Sequence, residues 1–155
     1  PRTCEIDENC FTRMPTAAML VISAVDFTHI MFEELPIDIN ALTDKNESML
    51  YLSIKCNKFL IFNDLLQRKC IHTSLSTTYH MNPIAAAIIY DRTYMTNALL
   101  KIPGVLDHIN EKVGDENEPP LYYAFKKEIA HIVGTIMTSE QFIPRTLHQI
   151  GRAHV

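Results

Sequence analysis

Residues 82–110 read Asn-Pro-Ile-Ala-Ala-Ala-Ile-Ile-Tyr-Asp-Arg-Thr-Tyr-Met-Thr-Asn-Ala-Leu-Leu-Lys-Ile-Pro-Gly-Val-Leu-Asp-His-Ile-Asn. The pattern predicts a helix, a short turn, a second helix and then a loop that contains Pro103 and Gly104. Asn82 stands as the N-cap, where a side-chain oxygen accepts from an unpaired helix N–H. Pro83 follows in the first turn, where its missing N–H costs nothing. Ala85, Ala86 and Ala87 make the first helix narrow, so a neighbouring layer can approach closely. Met95, Leu99 and Leu100 give the second helix its apolar stripe. Two helices this short cannot bury their faces alone and require copies of themselves on either side.

The copies are present. Ser48-Met49-Leu50-Tyr51-Leu52-Ser53 is followed by Ile61, Leu65 and Leu66, in the places that Met95, Leu99 and Leu100 take after Asn82. Pro119-Pro120-Leu121-Tyr122-Tyr123-Ala124 is followed by Ile132, Val133, Ile136 and Met137. A weaker copy runs from Ala17 through Leu20, Ile30 and Leu35. The period is roughly 30 to 37 residues, within the range of helical solenoids. The pattern resembles the ankyrin repeat, in which Thr-Pro-Leu-His-x-Ala opens a first helix, a second helix ends in Leu-Leu, and an Asn-containing hairpin loop follows. Asp38-Ile39-Asn40-Ala41-Leu42-Thr43-Asp44-Lys45-Asn46-Glu47-Ser48 matches that loop. Pro103-Gly104-Val105 with Ile109-Asn110 matches its longer form.

The departures are specific. Thr-Pro-Leu-His becomes Ser-Met-Leu-Tyr, Asn-Pro-Ile-Ala and Pro-Pro-Leu-Tyr, so the bonds that the family's His makes between hairpins are weakened or pass to Tyr51 and Tyr122. The loop glycine becomes Asn46 and Asn117, and Asn is the residue best suited after Gly to positive φ. The resemblance implies an all-α fold, an ankyrin-type helix-turn-helix solenoid with hairpin-like loops. Its expected layout is an irregular lead-in over residues 1–15 and repeats over about 16–47, 48–81, 82–118 and 119–138. A capping helix and tail over 139–155 complete it. A non-repetitive helical bundle is the rival architecture, but it needs no recurring loop pattern.

A chain of 155 residues fits one domain, and 47% apolar residues with 21% charged ones exclude a disordered chain. The net charge is −4 and the basic residues are scattered, which argues against nucleic acid or an anionic membrane as the main partner. The longest apolar run, residues 17–25, is too short to span a bilayer. Cys4, Cys10, Cys56 and Cys70 have no paired metal-site spacing and read as free thiols in a reducing compartment, which favours an intracellular location, cytoplasmic or nuclear.

Catalytic chemistry finds little support. Cys70, His72 and His80 are the strongest cluster for a thiol- or metal-dependent enzyme, yet no second pair of ligands completes a zinc site. Nucleotide, hydrolase and metalloprotease motifs are absent. No catalytic residue, cofactor or metal is therefore expected, and the chain reads as a non-enzymatic protein-protein interaction module.

In the solenoid that the resemblance implies, first helices line a concave face and loops extend it as fingers. Counting from Ser48, Asn82 and Pro119 places Leu52, Lys55 and Cys56, then Ala86, Ile89 and Tyr90, then Tyr123, Lys126 and Lys127 on that face. The alternative is that Leu52, Ile89 and Tyr123 are core between layers. Thr43, Asp44, Lys45, Tyr79, His80, Asp115 and Glu116 stand at or near loop tips. Such a mixture of aromatic, aliphatic and lysine side chains suits a protein-binding groove. Within the family, small inhibitors of Rel/NF-kappaB-type transcription factors, including viral mimics, are one expected identity, although the acidic Pro/Ser/Thr-rich tail of the cellular inhibitors is absent.

Overall fold

A computed structural model describes residues 38–143, and these form seven helices and no strand. They are α1 (Met49–Lys55), α2 (Phe59–Leu66), α3 (Pro83–Ile89), α4 (Thr93–Leu99), α5 (Pro103–Leu106), α6 (Pro120–Lys126) and α7 (Ala130–Met137). The lead-in expected over residues 1–15 and residues 16–37 of the first repeat expected over 16–47 lie outside the described residues, as does the tail from 144 onward. Residues 139–143 are turn and coil, so the closing helix does not begin at Ser139. The 103–118 connection, expected as loop throughout, opens with the single turn α5, because Pro103 occupies its first position and presets φ.

Each helix starts for a local reason. Ser48 Oγ accepts from the Tyr51 N–H at 3.1 Å and Asn82 Oδ1 from the Ala85 N–H at 2.9 Å. Each such cap contributes about 1 kcal/mol. Pro119 has no such side chain, and Pro120 supplies a preset φ instead. Helices α1, α3 and α6 all end on the same device. Asn57, Asp91 and Glu128 take positive φ of 56°, 59° and 58°. The following N–H groups of Lys58, Arg92 and Ile129 then reach back to the carbonyls of Ser53, Ala87 and Ala124, at 2.7, 2.8 and 3.0 Å. This left-handed residue reverses the chain and satisfies a helix-end carbonyl in one step.

Helices α1 and α2, α3 and α4, and α6 and α7 pack as pairs, and α3 packs against both α1 and α6. The first helices thus form one row, each backed by its own second helix. The narrowness of α3 makes the row possible: Ala85, Ala86 and Ala87 are fully buried between its neighbours. The core runs continuously through Leu50, Ile54, Phe62, Leu65, Ile88, Leu99, Leu121 and Ile132, all buried. Arg92 ties two layers together: its Nε donates to Ile54 O and its Nη2 to Lys55 O, both at 2.9 Å. A cation thereby caps the carbonyl end of α1, where the helix dipole favours it.

Three hairpin-like fingers precede the first helices. Thr43, Thr77 and Val113 donate N–H bonds across them to Glu47, Met81 and Glu118, at 3.0, 3.0 and 2.9 Å. Antiparallel bridges at Leu42–Ser48 and Val113–Glu118 pinch the first and third. Asn46, His80 and Asn117 sit at positive φ of 58°, 59° and 52°, so the two asparagines expected to replace a loop glycine take the backbone conformation that glycine favours. The fingers also bond to one another. Thr78 N–H donates to Lys45 O at 2.9 Å and Gly114 N–H to His80 O at 2.8 Å. Further back, Asn40 Nδ2 donates to Cys70 O and its Oδ1 accepts from His72 N–H, at 2.7 and 2.8 Å. Asn110 makes the same pair of bonds to Gln141 O and Ile143 N–H, at 2.6 and 3.0 Å.

Candidate functional site

The fingers and the last turns of the first helices enclose a cavity of about 690 Å³. Its helix wall carries Lys55, Ile89, Tyr90, Tyr123, Lys126 and Lys127, and its finger wall Lys45, Tyr79, Asp115 and Glu116. These ten are the residues that the sequence places in the groove or at finger tips, and the fold brings them around one cavity. Glu47, Tyr51, Thr77 and Met81 complete the lining and were missed. Glu47, Thr77 and Met81 lie on the flanks of fingers whose inward direction only the backbone pairing decides. Tyr51 stands where the resemblance implies a tie between hairpins, and it lines the cavity instead.

Several expected positions are corrected. Leu52 is 5% exposed and belongs to the core, as does fully buried Ala86. Both stand four residues after the helix start, a register that faces inward. Tyr123 shares that register and is likewise 5% exposed, yet it also lines the cavity. Thr43 spends its hydroxyl on the finger itself, accepting from the N–H groups of Lys45 and Glu47 at 3.3 and 3.1 Å. Thr77 does the same for Tyr79 and Met81, both at 3.2 Å. Asp44 and His80 are exposed at finger tips and do not line the cavity. Cys56 closes α1 as its C-cap and keeps a free thiol.

The tyrosines organise the floor. Tyr51 Oη meets Tyr90 Oη at 3.5 Å across the first two layers. Tyr123 Oη donates to Val113 O at 2.6 Å and so ties α6 to the third finger. Tyr122 Oη donates instead to the Glu116 carboxylate, which also pairs with Lys126. The tie to a finger's backbone, expected of Tyr122, is thus made by Tyr123. In the outer layers, Lys55 pairs with Glu47 at 3.7 Å and Lys126 with Glu116, each joining a first helix to its own finger. Lys127 turns away to Asp91 at 3.3 Å. In water each such exposed pair contributes little.

Burial, then the contact with Tyr90, pushes the Tyr51 phenol well above its ordinary value. The hydrogen bond to Glu116 raises Tyr122, and burial raises Tyr123. A folded-state pKa above the unfolded value of about 10 contributes stability that is complete below that pH and is lost as pH rises through the folded values. An alkaline titration should therefore show these three phenols ionising late and together with loss of the helical circular dichroism. Absorbance of all six tyrosinates developing near pH 10 with the helical signal intact would show that these three are not held as described.

The Cys70, His72 and His80 cluster resolves into structural parts. Cys70 is disulfide-bonded, which corrects the reading of four free thiols and removes the ground on which an intracellular compartment was expected. Its carbonyl and the His72 N–H are held by Asn40, while His80 turns a finger. Among the described residues no group of three His, Cys, Asp or Glu side chains is placed to hold a metal ion. Among the same residues no helix is long and apolar enough to cross a membrane. No protein-family model matches the chain, and no curated protein matches its sequence.

Proposed function

We propose that this chain is an ankyrin-type solenoid that acts as a non-enzymatic binding module, holding another protein in the cavity between its fingers and first helices. The recurrence of backbone geometry supports the fold assignment: finger, helix, left-handed residue and second helix succeed one another three times with positive φ at corresponding places. The observation that carries the functional reading is the cavity's lining. Half-buried Ile89, Tyr90 and Met81 and exposed Tyr79 present apolar and aromatic surface, and lysines and carboxylates rim it. That is the make-up of an interface core with a charged edge. Backbone bonds between neighbouring fingers hold the walls in place, so little conformational entropy is lost when a partner docks.

The test is affinity capture with the wild type, an Ile89→Glu/Lys126→Glu variant and a Tyr94→Glu control. Tyr94 is 55% exposed, pairs with Phe59 and lies outside the cavity. With all three folded by circular dichroism, a stoichiometric partner should be lost only by the cavity variant. Equal capture by wild type and cavity variant would place binding elsewhere on the molecule.

A further inference from the structure

The charges of the cavity are not distributed evenly along the row of layers. The middle layer contributes Thr77, Tyr79, Met81, Ile89 and Tyr90, none of which is charged at neutral pH. The first layer pairs Lys55 with Glu47, and Lys45 has no ion-pair partner among the described residues. In the third layer Lys126 pairs with Glu116 and Lys127 with Asp91, and Asp115 has no ion-pair partner there. Among the residues that line the cavity, the charges without an ion-pair partner among the described residues are therefore Lys45 at the first finger and Asp115 at the third, with an uncharged aromatic and aliphatic opening between.

We propose that the cavity takes an extended peptide segment of a partner protein, with one apolar side chain at its centre, an acidic residue on one flank and a basic residue on the other. This rests on the reading of the cavity as a protein-binding site and adds the chemistry of what binds. The apolar anchor enters between Tyr79, Met81 and Ile89, where no ion pair joins the walls. The acidic flank meets Lys45 and the basic flank meets Asp115. At the outer layers the Lys55–Glu47 and Lys126–Glu116 pairs bring finger and helix within bonding distance. Layers of packed helices stand about 8–10 Å apart, so the two outer fingers are roughly 20 Å apart. An extended chain covers that distance in about six residues.

The experiment is fluorescence polarisation with labelled nonapeptides at low ionic strength, where charge selection is least screened. Four probes share a Gly/Ser spacer. One has a central Leu flanked by Asp-Asp and Lys-Lys, one has Asp at both ends, one has Lys at both ends, and one is the mixed peptide with Ser at the centre. The mixed Leu peptide should bind at least tenfold more tightly than the other three. Lys45→Glu should shift the preference to the Lys-flanked peptide and Asp115→Lys to the Asp-flanked one. Both positions are exposed, and circular dichroism checks that the variants fold. A preference for one sign in the wild type, or a preference unmoved by either reversal, overturns the charge assignment while peptide binding itself upholds the cavity. Absence of binding by all four probes overturns the peptide proposal, and loss of the captured partner by Ile89→Glu/Lys126→Glu would still uphold the binding module.

Discussion

Leu52→Glu is expected to destabilise the protein by at least about 4 kcal/mol, whereas Ile89→Glu leaves its stability nearly unchanged. Leu52 is 5% exposed among the core side chains, so a carboxylate placed there is taken out of water. The group must be buried without compensation or force α1 away from its neighbours. Ile89 is only partly buried and borders the cavity, so a carboxylate there reaches water. Domains of this size are stable by about 5–15 kcal/mol, so the first substitution removes a large share of that margin. Urea unfolding followed by circular dichroism separates the cases. A Leu52→Glu variant that unfolds cooperatively near the wild-type midpoint would show that the fourth residue of the first helices is not core.

The second large effect is expected at Gly114. Its φ of +76° lies in the left-handed region, and an added Cβ would stand 2.3 Å from Tyr123 Oη and 2.9 Å from its Cζ. Gly114→Ala therefore combines backbone strain with displacement of the phenol that bonds Val113 O, for a total of about 2–4 kcal/mol. Tyr123→Phe alone loses that hydrogen bond, about 1 kcal/mol. In the double variant the nearest atom is gone but the ring carbon stays. The two losses should fall short of additive by about 1 kcal/mol in a double-mutant cycle. Strict additivity would show that the third finger does not rest on Tyr123 in solution.

These two sites mark where sequence reasoning reached and where it stopped. The helix starts at Ser48 and Asn82, the narrow α3 and the apolar stripes of the second helices were all legible, because each depends on residue type at short separation. The same holds for the left-handed asparagines in the fingers, since few other residues tolerate that backbone. The facing of the first helices was not legible to within one residue. A helix of seven residues has barely two turns, and Leu52, Ala86 and Tyr123 differ too much in size to show a common phase.

By itself the sequence determined a helical chain built from recurring pairs, with caps, turns and fingers at given residues, since these follow from local backbone preferences and from apolar spacing. Only the tertiary structure decided which of those residues share a wall. The pairing of fingers through Thr78 and Gly114 sets them side by side along the row, and Glu47, Tyr51, Thr77 and Met81 join the cavity lining. The same packing gave the tie to the third finger to Tyr123 and left Lys45 and Asp115 without ion-pair partners among the described residues. Contacts between residues more than thirty positions apart depend on how whole layers settle on one another, and no single stretch of sequence carries that information.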